Sequence, residues 1–167
     1  MTPKAMSTNS PERADYWNER ILDWEAGRYS GRVPFSLGPI EWLACWLSGP
    51  TRRRQRRAVE LAAPFLAGRE VVEVGCGTGL LADQFIAAGA KSYLGLDHST
   101  VAITAARALT GLPAIRFEVC RADELPAGGD LIVSLGLLDW LTDEELAEFF
   151  RRHENRDYLH TFSERRS

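Results

Sequence analysis

Glu73-Val74-Gly75-Cys76-Gly77-Thr78-Gly79-Leu80 places three glycines at alternate positions directly after an apolar run. Glycine at such a junction lets the backbone turn sharply and lets a ligand approach with no Cβ in the way. A helix that follows the turn offers its unpaired N–H groups to the same ligand. Two ligand classes use a turn of this kind. A dinucleotide turn reads GxGxxG/A, and here Leu80 holds its third glycine position. Glu73, just before the first glycine, would repel a pyrophosphate but attract a ligand with a cationic amino-acid end. Asp97 stands 22 residues after Gly75, at the end of the apolar run Tyr93-Leu94-Gly95-Leu96, and is followed by His98. A carboxylate there can accept hydrogen bonds from both hydroxyls of a ribose.

Taken together, these residues favour S-adenosylmethionine, whose ammonium and sulfonium are both positive, over NAD. The segment from Glu73 to Gly79 resembles motif I of class I S-adenosylmethionine-dependent methyltransferases. The resemblance extends over most of the chain after residue 70. It implies a ribose-binding role for Asp97, with His98 beside the adenosine. Arg116-Phe117-Glu118-Val119-Cys120-Arg121-Ala122-Asp123-Glu124-Leu125-Pro126 resembles the third strand and its exit loop. There the family implies that Asp123 accepts from the adenine amino group, with Ala122 and Glu124 as its neighbours. Asp130-Leu131-Ile132-Val133-Ser134-Leu135-Gly136-Leu137-Leu138-Asp139-Trp140-Leu141 resembles the fourth strand and exit loop, which lie beside the transferred methyl group. The cofactor-binding set expected from this reading is Glu73, Gly75, Cys76, Gly77, Gly79, Asp97, His98, Ala122, Asp123, Glu124 and Leu135, with no metal.

Proton-transfer chemistry is less well marked. Many relatives carry a histidine pair near the positions of Asp139 and Trp140, and this chain does not. Asp139 and His98 are the candidate bases, against the alternative that Asp139 is a solvent-facing loop acid. Asp97 competes with Ser99 and Thr100 for a helix-capping role. His153 and His160 read as surface or strand-end residues. Trp17, Trp24, Trp42 and Trp46 read as packing between helices, although Tyr16, Trp17 and Tyr29 lie where relatives often cover the cofactor. Arg52-Arg53-Arg54-Gln55-Arg56-Arg57 is the densest charge run. It reads as a solvated helix face, with an acidic substrate, a phosphate or RNA as the alternative.

The elements that must hold these residues follow from periodicity. Ser10, as N-cap, and Pro11 start a helix whose apolar side is Ala14, Trp17, Ile21 and Trp24, ending at Gly27. A loop over Tyr29–Gly38, a short helix over Pro39–Leu47 and a third helix over Thr51–Leu66 follow. From residue 70 the pattern alternates. Strands are expected at Glu70–Val74, Ser92–Leu96, Ile115–Val119, Leu131–Ser134 and Tyr158–Phe162. Helices are expected at Leu80–Ala88, Thr100–Leu109 and Asp143–Arg152, the last with a Thr142/Glu145 capping box. Such alternation makes an α/β domain: a three-layer, doubly wound, mainly parallel sheet of about five strands with an N-terminal helical extension. The resemblance calls this fold Rossmann-like. Residues 1–68 form the extension and possible lid, and residues 69–167 the cofactor-binding core of a single domain.

Length and composition agree with one domain: 167 residues, 45% hydrophobic, net charge -3. That balance gives no overall attraction to nucleic acid or anionic membrane. No apolar run is long enough for a membrane span, and the polar first residues lack a signal core. Cys45, Cys76 and Cys120 lie far apart, which suits a reduced, cytoplasmic protein without a disulfide framework. The family's sheet has seven strands, so five imply a C-terminally shortened domain. The expected function is methyl transfer from S-adenosylmethionine to a small-molecule acceptor by in-line displacement, with release of S-adenosylhomocysteine. The alternative is a cofactor-binding or interaction module without turnover.

Overall fold

The computed structural model describes residues 11–29, 49–121, 124–126 and 128–161. The Ser10 cap, the Pro39–Leu47 helix, Ala122, Asp123 and Phe162 lie outside these residues.

Among the described residues, five parallel strands form one sheet in the order β3-β2-β1-β4-β5. They are β1 (Glu70–Val74), β2 (Ser92–Asp97), β3 (Ile115–Val119), β4 (Leu131–Leu135) and β5 (Asp157–Thr161). Helices α1 (Pro11–Tyr29) and α2 (Gly49–Ala62) precede the sheet, and α3 (Ala82–Ala87), α4 (Thr100–Leu109) and α5 (Asp143–Arg152) lie between strands. Among the described residues, no helix is long and apolar enough to cross a membrane.

The central strands are buried on both faces, so their apolar runs are nearly continuous. Val71 of β1 faces a core with Leu66, Phe85, Tyr93, Ile103, Phe117 and Val133. Val72 and Val74 face the opposite core, with Leu96, Ile132, Leu141 and Phe149. Glu73 alternates with Val72 and Val74, so it shares the face of Val71 and is buried there.

Local chemistry sets the helix ends. Ser99 caps α4 by accepting from the Ala102 N–H. Thr142 and Glu145 form the reciprocal capping box at α5. Strand ends lie within one residue of expectation, and three helices differ further. Helix α1 runs through Gly27 to Tyr29, since one glycine weakens a helix without ending it. Helix α2 begins at Gly49 and gives way to a 3-10 turn at Ala63–Phe65, with Pro64 inside it. Helix α3 starts at Ala82 and not Leu80. The glycine turn first closes on itself through Gly79 N–H to Cys76 O at 3.0 Å and Ala82 N–H to Gly79 O at 3.1 Å. His153 is also not a surface residue. It is 2% exposed and its Nδ1 lies 2.8 Å from Phe149 O at the end of α5.

Candidate active site

The carboxyl ends of β1, β2 and β4 meet where the strand order reverses between β1 and β4, the usual ligand crevice of an open parallel sheet. The glycine turn leaves β1 here. Gly75 and Cys76 donate their N–H groups to Leu96 O at 2.8 and 3.0 Å, which ties the turn to the end of β2. Gly77 has φ +56 and Gly79 has φ +74, a region that suits glycine. Crowding adds a second requirement. A Cβ on Gly79 would strike the Phe117 ring, and one on Gly77 would strike the Glu25 carboxylate.

Asp97 ends β2 beside this turn. Its Oδ2 accepts the Gly77 N–H at 2.9 Å and its Oδ1 accepts the Ser99 N–H at 2.9 Å. Two backbone donors therefore fix the carboxylate while each oxygen keeps a lone pair for a further donor. His98 Nδ1 lies 3.5 Å from Asp97 Oδ1, and its Nε2 is buried with no partner among the described residues.

Helix α1 lies against the glycine turn and the α4 cap. Asn18, Ile21 and Glu25 are spaced three and four residues apart and so share one face. Asn18 Oδ1 accepts from Ser99 Oγ at 2.7 Å, which joins α1 to the α4 cap. Glu25 accepts the Thr78 N–H at 3.1 Å and also the Thr78 hydroxyl. Trp17 packs edge-on against Trp140, with centroids 5.2 Å apart, so α1 also reaches the loop after β4.

Three carboxylates, Glu25, Glu73 and Asp97, thus gather around one turn. Burial raises the pKa of Glu25, against the lowering effect of the two Thr78 donors, and Asp97 adds to the rise. Burial pushes Glu73 up to about 8. The Tyr93 hydroxyl, which donates to it, works the other way, while Glu25 and Asp97 raise it further. The Cys76 thiol goes up for the same reasons, burial first and the three acids next, which makes it an inert packing group.

The remaining expected residues are more dispersed. Leu135 packs towards the core that Leu66 and Val133 share. Glu124 is exposed and pairs with Arg121 at 3.7 Å. Asp139 is exposed, in a 3-10 turn at Leu138–Trp140. Leu137, in the same loop, lies within 3.3 Å of where a Gly75 Cβ would be. Sequence reasoning missed Asn18, Glu25, Thr78, Tyr93 and Leu137. The α1 residues share the stripe of Trp17 and Ile21, which was the one available signal for that face.

The family model for the methyltransferase domain matches residues 71–155, and the chain belongs to this S-adenosylmethionine-dependent methyltransferase family. It is 34% identical over 125 residues to a tRNA U34 carboxymethyltransferase of Methylococcus capsulatus, covering 71% of this chain and 36% of the relative. It is 36% identical over 96 residues to a trans-aconitate 2-methyltransferase of Deinococcus radiodurans, covering 55% of this chain and 36% of the relative. The chain therefore spans about a third of the length of these curated relatives. Among solved structures, a magnesium protoporphyrin IX methyltransferase from Synechocystis PCC 6803 with bound S-adenosylmethionine shares the fold. Its TM-score is 0.68 at 21% identity, over 95% of this chain and 77% of that one.

Proposed function

We propose that this chain binds S-adenosylmethionine at the Gly75–Gly79 turn and transfers its methyl group to a small-molecule acceptor. The observation that carries the reading is the gathering of Glu25, Glu73 and Asp97 around one turn, where burial first, and repulsion by the neighbouring acids after it, raises the pKa of Glu25 and Glu73. A cationic ligand relieves that repulsion, whereas a pyrophosphate adds to it. The glycine turn provides a second match, since Gly75, Gly77 and Gly79, all at positive φ, hold the alternate-glycine spacing of the family motif.

The bound cofactor supplies an electrophilic methyl on a sulfonium. The protein's own contribution is placement. Asp97, held by Gly77 and Ser99, would receive ribose hydroxyls. His98, with its unpartnered Nε2, would face the adenosine, as would Ala122, Asp123 and Glu124 of the loop after β3. Glu25 and Glu73 would offset the positive amino-acid end, beside Gly75, Cys76, Gly77 and Gly79. Helix α1 would exclude water. The loop Gly136–Trp140, with Leu135 at its base, would meet the acceptor. Asp139 and His98 are the candidate groups to take an acceptor proton.

Incubation with methyl-labelled cofactor and a panel of carboxylate and phenol acceptors tests the reading. Formation of S-adenosylhomocysteine with a labelled acceptor is the expected result. Tight cofactor binding with no transfer to any acceptor would favour the alternative, a binding or interaction module. The tRNA relatives keep a larger acceptor in view, and a labelled RNA in the same assay would count against a small one.

A further inference from the structure

Among the described side chains of the arginine run, Arg54 stands apart from the exposed Arg53, Arg56 and Arg57. Arg56 and Arg57 are exposed and share Glu60, at 3.8 and 3.2 Å. Arg54, one helical turn before Ala58 of the core, points the other way. Its Nη1 comes within 3.0 Å of where a Gly136 Cβ would stand, at the exit of β4. Its Nε is buried without a partner among the described residues. A Cβ at 136 would crowd the guanidinium, which would have to give way by a few tenths of an ångström.

The opposite wall is β5. Leu135 of β4 pairs with Thr161, and Gly136 donates its N–H to Thr161 O at 3.2 Å. Leu159 packs towards the core beneath α2, so Thr161, two residues on, faces the same side. Its Oγ1 is also buried and unpartnered among the described residues. Desolvated polar atoms without partners are costly. Two such groups on one side of the β4–β5 exit mark an unfinished polar site. Leu137, which packs on Gly75, follows Gly136 directly, so this site adjoins the glycine turn.

We infer that Arg54, with Thr161, holds an oxyanion of the methyl acceptor, a carboxylate or a phosphate, and so selects acidic acceptors. The inference rests on the methyltransferase reading and deepens it. A guanidinium edge presents two parallel N–H groups that match such an oxyanion. Among the described side chains of the run, Arg54 turns inward, Arg53 is exposed, and Arg56 and Arg57 pair with Glu60, which suits a small anion better than a polyanion track, since that needs several free cations along a surface.

The test is calorimetric titration of the full chain with succinate, inorganic phosphate and a short oligothymidylate, each with and without S-adenosylhomocysteine. Variants are Arg54→Gln, Arg54→Lys, Thr161→Val and the double change Arg56→Gln/Arg57→Gln. Succinate or phosphate should bind the wild type, and the stronger of the two identifies the oxyanion. Arg54→Gln should weaken it about tenfold or more, as expected for a lost charged hydrogen bond. Thr161→Val should weaken it less, Arg54→Lys should retain part of it, and the double change should leave it intact. S-adenosylhomocysteine affinity should be the same in Arg54→Gln as in the wild type, which also shows that the variant is folded. The inference falls if neither small anion binds the wild type, or if Arg54→Gln binds it as well. It falls equally if the oligonucleotide alone binds and only the double change abolishes that. Failure of S-adenosylhomocysteine to bind the wild type would instead sink the cofactor reading, while the titrations without it still decide the anion site.

Discussion

At pH 7 Glu73 keeps its proton, because its pKa is about 8 in the folded chain against an ordinary value of 4.5. A cation bound nearby favours the ionised form and so expels that proton. Binding of S-adenosylmethionine at neutral pH should therefore release part of a proton, read from calorimetry in buffers of differing ionisation enthalpy. Glu73→Gln should lose that share of the release, and equal release in variant and wild type would count against the role given to Glu73. The nearness of several of the named residues was legible in the sequence. Glu73, the glycines and Asp97 sit together around one turn. Glu25 was not legible, because its partner Thr78 is 53 residues away in sequence and only the packing of α1 brings them together.

Among the elements, the turn between β1 and α3 is the most constrained. Gly79→Ala would force both an unfavourable φ and a clash with Phe117. It should destabilise the domain by roughly 1–3 kcal/mol, measured by urea unfolding. An unchanged midpoint would mean that Phe117 has freedom to move that the packing does not suggest. At α5 the capping box predicts a cost of about 1 kcal/mol for Thr142→Ala, checked in the same way. Strand positions were read almost to the residue, since short β-rich runs between breakers leave little choice of register. Helix ends were read less well. Gly27 looked like a stop and is passed over, and the glycine turn delays α3 by two residues. In both cases backbone hydrogen bonding, which residue type alone does not reveal, set the boundary.

The whole molecule stores an electrostatic cost in its crevice. Glu25 and Glu73 both have raised pKa values when folded. Unfolded, each ionises near its ordinary value, so folding is progressively disfavoured as pH rises. For Glu73 the loss starts near 4.5 and is complete above about 8. Thermal unfolding followed from pH 5 to 8 should show falling stability that Glu73→Gln flattens, and a parallel slope in the variant would contradict this. The parallel sheet with helices on both faces followed from strand–helix alternation, whereas its strand order came only with the structure. The packing of α1 against the glycine turn did not follow either, because amphipathic spacing shows that a helix face is buried but not against what.

Calorimetric titration of the chain and of Asp97→Ala with S-adenosylmethionine and S-adenosylhomocysteine, beside NADH, probes the central claim most directly. The account predicts binding of the first two to the wild type, its loss in Asp97→Ala, and no binding of NADH. A folded wild-type chain that binds neither, or an Asp97→Ala variant that binds both with unchanged affinity, would contradict it.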